Sequence, residues 1–475
     1  MRPHVTIILA STILASAFAS ADTIHLKNGR KILADHVQEQ GNHYQYDVGD
    51  DSYAIPKSLV DHVEAGGMPA SMSSSSGGAK NIGDIPAFTS ANSLANEGDL
   101  IAKVIKEDKV DVDTLSTLES KGNPELSATA DFIAGKFEFE HGNIAQARRY
   151  FENALRFQPE NSTILIYYSA LLVRTGNAAQ AVSYAQRAVR SAPNNPDAHT
   201  MLGYALFSSD HTKEAVASWK HSLELRPDSK VEHLLAKAQR EQTAETDFAQ
   251  RESVHFVLHY EGRQISEALR EQIITVLESD YDDLARDLGN PPRDNILVTV
   301  YTEQAFFDVT RAPSWSGAIN DGKLRIPING LSSMTPELAR VLKHELAHSF
   351  INQLSGGRCP PWLHEGIAQL LEPKSLGSDG RQLAQLFKAQ RNIPLNVLEG
   401  SFMRFSGSEA YLAYAESLAA ASYINDTYGM SDIQTILQRL GQGSSMEASL
   451  RATIHSDYGQ FESELARYLT DKYGQ

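Results

Sequence analysis

His344, Glu345 and His348 stand in the order His-Glu-Leu-Ala-His within a segment of helical periodicity. At 3.6 residues per turn, residues four apart lie one above the other, so the two imidazoles address one point in space and Glu345 sits beside it. Imidazole is a donor that zinc favours, and the intervening carboxylate is placed to take a proton from an activated water rather than to bind the metal. The bland alternative is an ion-paired helix face. The elements around the motif decide between the two.

Thr335 and Pro336 read as an N-cap and a first-turn proline, Glu337 suits the positive end of the helix, and Val341 and Ile351 extend the stripe that carries both histidines. A break at Cys359-Pro360-Pro361 follows, and then a second helix, Trp362-Leu-His-Glu-Gly-Ile-Ala-Gln-Leu-Leu-Glu372. A catalytic zinc takes three protein ligands and keeps one open position, and a second helix returning across the first supplies a carboxylate. Glu365 is the candidate. His364 is its rival, but consecutive helical residues point about 100° apart, so both are not expected at one metal.

A histidine helix followed by a tryptophan-led helix with Glu365-Gly366-x-Ala368 resembles the gluzincin metallopeptidases, specifically the peptidase MA-like group related to aminopeptidase N. The resemblance implies one zinc per chain, held by His344, His348 and Glu365, with Glu345 as general base. Sixteen residues lie between His348 and Glu365, a shorter interhelix connection than the aminopeptidases carry. The metzincin alternative fails, because it needs glycine and histidine where Ile351 and Leu354 stand. In the aminopeptidase-like gluzincins a tyrosine opens a later apolar helix and donates to the oxyanion. Tyr414 matches that position, with Tyr411 as the fallback and ordinary packing as the alternative for either.

Phe256–Tyr260 and Ile296–Tyr301 read as strands separated by a helix from about Ile265 to Leu288, and Lys323–Ile328 reads as a third strand. Pro327 places that strand at an edge or close to an end. By resemblance, the sheet edge beside the cleft pairs with an extended substrate, so Lys323–Ile328 is expected to form it. Ser316-Gly-Ala-Ile-Asn-Asp321 occupies the place of the Gly-x-Met-Glu-Asn motif that clamps a free amino terminus in aminopeptidases. Asn320 stands where the glutamate would be, and Asp321 reaches the clamp only if the strand shifts by one residue. The expectation is therefore cleavage within chains.

Met1 to about Ala21 has Arg2, an apolar stretch from Val5 to Ala19 and small residues at Ala17, Ala19 and Ala21. This reads as a cleavable signal peptide, too short for a membrane span, and implies a secreted or periplasmic address. No cysteine follows to accept a lipid, and no second apolar run is long enough to cross a bilayer. Cys359 is the sole cysteine, so no internal disulfide forms; it reads as a small buried residue before a turn. A formal charge of −16 with no basic patch argues against a nucleic-acid or anionic-membrane partner.

Thr23–Glu64 reads as a small β-rich unit, with Asn28-Gly29 as a hairpin signal and His43–Val48 as a strand, similar to small barrel-like modules near the start of secreted bacterial proteins. The stretch from Gly66 to about Ser93 is a flexible Ser/Gly-rich linker by composition. From Ala128 onward Pro159, Pro193 and Pro227 recur every 34 residues, Gly142, Gly176 and Asp210 mark turns, and Ala147, Ala181 and Ala215 hold register. This resembles tetratricopeptide (TPR) repeats, in which small residues let paired helices approach and stacked pairs bury one core. Such repeats offer a concave surface for a protein partner or serve as a rigid spacer packed on the peptidase.

The expected chain is thus an α+β multidomain protein. It comprises a signal peptide (1–21), a β module (22–65), a linker (66–93), a helical lead-in (94–127), an α-helical TPR solenoid with three units and a capping helix (128–243), and a gluzincin-like zincin domain (250–475). The expected function is a zinc metallopeptidase acting on peptide or protein substrates, with repeats that recruit substrates or partners. The competing class is a repeat scaffold whose peptidase-like domain has lost catalysis.

Overall fold

The computed structural model describes residues 21–27, 31–34, 36–41, 43–48, 51–67, 74–75, 97–262, 264–311, 317–328, 330–372, 374–377, 379–402, 405 and 407–474. The signal peptide up to residue 20, most of the Ser/Gly-rich linker and Ser316 lie outside the described residues. Two compact units divide the chain, one of residues up to 73 with 404–411, the other of the remainder. The fold is α+β and multidomain.

The first unit holds two antiparallel three-stranded sheets. In one, Ala21–Leu26 runs between Lys31–Ala34 and Val60–Gly67, with Ile24 opposite Ile32 on one side and Val63 on the other. In the other, His43–Val48 runs between His36–Gln40 and Asp51–Pro56. The turn expected at Asn28-Gly29 lies outside the described residues.

The first described helices of the second unit are Glu97–Val104 and Val112–Ser120. The lead-in is not helical throughout: Ile105–Lys106 and Lys109–Val110 form a hairpin, closed by Glu107 and Asp108 at φ 49° and 58°. Two left-handed residues match the twist of a two-residue hairpin, a turn usually signalled by Asn-Gly. Six solenoid helices follow as three antiparallel pairs, Pro124–Glu140 with Ile144–Phe157, Ser162–Arg174 with Ala178–Ser191, and Pro196–Ser208 with Thr212–Leu225, and then the capping helix Ser229–Ala244. Gly142, Gly176 and Asp210 close the three intra-pair turns at φ 78°, 74° and 70°. Phe132, Phe151, Ile166, Leu171 and Trp219 fill the shared core.

These three turns form the edge of the solenoid that meets the rest of the unit. Arg358 donates to the carbonyl of His141, Arg174 Nε to that of Gly356 at 3.4 Å, and Lys323 Nζ to Asp210 Oδ1 at 2.7 Å. Of the two structural readings of the repeats, packing against the peptidase-like region is observed along this edge.

Beyond the solenoid lies a sheet whose strand order is Phe248–Glu252, Phe256–Glu261, Ile296–Tyr301, Leu324–Pro327, Ala318–Asn320, Ser74–Ser75. Helix Glu267–Leu288 crosses between the parallel strands Phe256–Glu261 and Ile296–Tyr301. One expectation needs correction: Lys323–Ile328 is not an edge strand. Leu324–Pro327 is paired on both sides, parallel to Ile296–Tyr301 and antiparallel to Ala318–Asn320. The chain reverses at Gly322, φ 97°, and folds residues 318–320 over the strand's outer side. Pro327 is tolerated because it ends the strand. No described helix is long and apolar enough to cross a membrane.

Candidate active site

Helix Pro336–Ser355 starts where its sequence says it should: the Thr335 hydroxyl accepts from Leu338 N at 3.2 Å, Pro336 takes the first turn, and Gly356 ends it in the left-handed conformation. Its face bearing Leu338, Leu342, Leu346 and Phe350 is buried, and Tyr281 of the crossover helix meets Phe350 edge-on at 5.1 Å. Helix Pro361–Leu371 is fixed by Trp362, fully buried against Phe461 with its Nε1 3.4 Å from the Tyr458 hydroxyl. Truncating such an anchor to alanine costs about 3–5 kcal/mol. Gly366 explains itself by contact: a Cβ there would lie 2.2 Å from the carbonyl oxygen of Ser417, so only glycine lets helix Gly407–Thr427 come this close.

These packings bring His344, His348 and Glu365 together. His344 Nε2 is 3.5 Å from Glu365 Oε2, and His348 Nε2 is 3.7 Å from Glu365 Oε1. Two ligands about 2.0–2.2 Å from a tetrahedral zinc lie roughly 3.3–3.6 Å apart, so these separations suit donors that share an ion better than donors that bond one another. Both ring nitrogens of each histidine and both oxygens of Glu345 and Glu365 are buried without a hydrogen-bond partner among the described residues. Leaving so many buried polar atoms orphaned is costly, and a cation at their centre would satisfy the inward-facing ones. The residues therefore fit a metal ion.

The side chains alone carry strongly displaced pKa values. Burial lowers His344, but the Glu365 and Glu372 carboxylates outweigh it and raise the ring to about 10. Burial, then His364 and His344, hold His348 well below the ordinary histidine value, leaving it a neutral donor. Burial pushes Glu345 up to about 8, with His344 opposing and Glu365 and Glu372 adding. Burial likewise raises Glu365. A carboxyl poised near neutrality is suited to general acid–base work.

His364 stands nearer the centre than helix geometry suggests. Its ring stacks on His348 with centroids 4.4 Å apart at 3°, and one donor atom each of His348, His364 and Glu365 falls within 4.8 Å of the others. Its Nε2 is 3.0 Å from Asn352 Oδ1, which occupies one of its two nitrogens. Tyr414 is fully buried beside Phe402, and its carbonyl accepts from Gln369 Nε2 at 3.0 Å while the same amide donates to the Glu365 carbonyl at 3.2 Å. Gln369 thus ties the tyrosine's helix to that of Glu365. Cys359 is buried, and burial holds its thiol well above the ordinary value, as expected of a packing residue.

One further residue carries a signal the sequence reading left unused, and another is placed differently than expected. Glu372 lies seven residues, about two turns, beyond Glu365 on the same helical face, and its Oε1 is 3.7 Å from His344 Nδ1. Asn320, expected at a substrate clamp, is instead buried against the metal helix. Its Nδ2 donates to the Glu345 carbonyl at 2.7 Å and to Ser349 Oγ at 2.8 Å. Asp321 is held by Arg325 Nε at 3.0 Å and Lys237 Nζ at 2.8 Å.

Comparison with known proteins agrees with this reading at the level of domains. Residues 278–471 match the Peptidase MA superfamily, and residues 128–232 match the TPR domain of cytochrome c-type biogenesis protein H. The chain thus carries a Peptidase MA superfamily domain preceded by a TPR-type domain. No curated protein matches it. Among solved structures, a mutant O-GlcNAc transferase of Thermobaculum terrenum aligns over 77% of this chain and 99% of that one at 14% identity, with a TM-score of 0.21, too low to carry an argument.

Proposed function

We propose that this chain is a zinc-dependent metallopeptidase that cleaves within peptide or protein chains. The observation that carries the reading is the approach of His344 Nε2 to Glu365 Oε2 at 3.5 Å and of His348 Nε2 to Glu365 Oε1 at 3.7 Å, all buried and without hydrogen-bond partners among the described residues. Bound there, zinc would supply a Lewis acid that polarises the scissile carbonyl and acidifies a water. Glu345, which offers a carboxylate oxygen within 4.8 Å of donors of His344 and His348, takes the proton and returns it to the leaving amine. Tyr414 donates from its hydroxyl to the developing oxyanion. Neither residue at the place of the amino-terminal clamp offers a free carboxylate: Asn320 is an amide turned onto helix Pro336–Ser355, and Asp321 is already paired with Arg325 and Lys237.

The sequence of residues 1–21 supports export to the periplasm or the medium, with the mature chain beginning near Ser20 or Asp22. The repeats supply a partner- or substrate-recruiting surface away from the edge docked on the peptidase domain.

Metal analysis combined with digestion of an unfolded protein tests the reading. The wild type is expected to hold one zinc and to produce internal fragments. Glu345→Gln should keep the zinc and lose hydrolysis, because the amide keeps the shape but cannot take the proton. Glu365→Ala should lose the metal, whereas His364→Ala should keep it. Wild-type turnover by Glu345→Gln, or metal loss from His364→Ala alone, would overturn the assignment.

A further inference from the structure

The hairpin of strands Ala318–Asn320 and Leu324–Pro327 touches two distant parts of the chain. On one side it meets the solenoid through an ionic cluster that is almost wholly buried. Glu241 of the capping helix, 0% exposed, accepts from Lys323 Nζ and, at 2.7 Å, from Arg325 Nη2. Lys323 also reaches Asp210 of the third repeat's turn at 2.7 Å, and Lys237 of the capping helix reaches Asp321 at 2.8 Å. Arg325, itself 0% exposed, bonds Asp321 at 3.0 Å and the Tyr301 hydroxyl at 2.8 Å. A charge removed from such a cluster leaves its partner buried and uncompensated, so the hairpin can hold one position only while the solenoid helix is in place.

On the other side the same hairpin meets the metal helix through Asn320. Both amide hydrogens of Asn320 are used, one on the Glu345 carbonyl and one on Ser349 Oγ, while its Oδ1 accepts from Gly322 N at 3.1 Å. Here the helix is not backed by solid packing. A cavity of about 130 Å³ lies between it and the solenoid, lined by Asn320, Ser349, Asn352, Gln353 and Arg174 among others. Where apolar packing is missing, a satisfied polar tie sets the local position.

We propose that Asn320 is a positioning residue for Glu345, and that Glu241 and Lys237 of the solenoid set it through the hairpin, so that the repeats are a working part of the active site and not a detachable recruiter. The inference rests on the reading of Glu345 as the base. It makes the solenoid a point of control: a partner that shifts the capping helix changes the placement of Glu345 without approaching the metal.

The test uses the full chain and three variants, Asn320→Ala, Glu241→Gln and the milder Lys237→Met, which reaches the hairpin only through the partly exposed Asp321. Four quantities are measured: zinc content, kcat and KM on a protein substrate, melting temperature, and hydrogen exchange of the amides of Glu345–Ser349. Asn320→Ala should lower kcat about tenfold with KM and zinc content within about twofold, the signature of a displaced catalytic group. The exchange of those amides should rise about tenfold, and Lys237→Met should move both readouts in the same direction by about threefold. A lowered melting temperature with kcat and exchange unchanged would reduce Asn320 to a structural tie and sink the proposal. So would faster exchange in Asn320→Ala with no change in either solenoid variant. If the wild type hydrolyses nothing, the peptidase reading fails by itself, and the exchange data still decide whether the solenoid acts on the helix.

Discussion

The Oε1 atom of Glu372 stands 3.7 Å from Nδ1 of His344, the nitrogen opposite the one that faces Glu365. At 3.7 Å this is a charge contact and not a hydrogen bond; a carboxylate that closes on the free N–H of a ligating imidazole when an ion is bound would fix the tautomer, orient the ring and raise its basicity. Glu372→Ala should therefore weaken zinc binding 10–100-fold, the range expected when such a partner is lost. Competition with a chelating dye measures this directly. Unchanged affinity would show that His344 is oriented by packing alone.

The oxyanion role proposed for Tyr414 rests on its place in the chain and on its helix. If its hydroxyl donates mainly in the transition state, Tyr414→Phe should lower kcat on the order of 10²-fold and leave KM nearly unchanged. Tyr411→Phe, one turn earlier on helix Gly407–Thr427, is the control. A silent Tyr414→Phe beside an impaired Tyr411→Phe would shift the assignment by a turn.

The docked edge of the solenoid should depend on pH through His259. Burial lowers this histidine, but Asp210, 3.0 Å from its Nε2, and Glu245 outweigh burial and raise it to about 9. A group whose folded pKa lies above its unfolded value of about 6.5 adds stability that is fully present below 6.5 and lost as pH climbs through 9. Asp210 runs the other way. Burial raises it, His259 and Lys323 lower it further to about 2, and its contribution is lost only as pH falls from about 3.8 towards 2. The pair should be most stabilising between about pH 4 and 6.5. The His259 contribution is on the order of 3 kcal/mol at most, so His259→Gln should lower the melting temperature by several degrees at pH 6 and by little at pH 10. A melting difference that does not change with pH would mean that His259 is neutral in the folded protein.

What could be read from the sequence was what is local. Thr335 and Pro336 cap the metal helix, His344 and His348 share a face because they are four apart, and Pro159, Pro193 and Pro227 reveal a stacked repeat through their period. Glu365 was reachable as a candidate because a catalytic zinc site takes a third protein ligand, and its carboxylate lies 3.5 and 3.7 Å from the two histidines. The hidden part is non-local or depends on a turn. Glu241 lies 82 residues from Lys323 and 84 from Arg325, and no periodicity links them. The fold-back at Gly322 covers Leu324–Pro327 with Ala318–Asn320, which in turn pairs with Ser74–Ser75, and a strand pattern reads the same at an edge as inward. Asn320 was placed by analogy on the substrate side, and only the packed structure reveals that its amide points into the metal helix.

The mode of attack is the last prediction, and the partners of Asn320 and Asp321 sharpen it. An aminopeptidase needs an anion at the end of its cleft to bind the substrate ammonium by a charge-assisted bond. Asn320 offers a neutral amide whose hydrogens are spent on Glu345 and Ser349. Asp321, the other candidate, is bound by Arg325 and Lys237; burial raises its pKa, but these cations outweigh it and hold the carboxyl below its ordinary range. A substrate ammonium would have to displace both. An extended chain therefore meets no anionic stop at its amino end and can run through the cleft. Digests of an N-acetylated polypeptide and its free-amine twin, read by mass spectrometry, should show the same internal cuts in both. Stepwise trimming confined to the free-amine form would mean that an anionic clamp exists and that the enzyme works from the end of the chain.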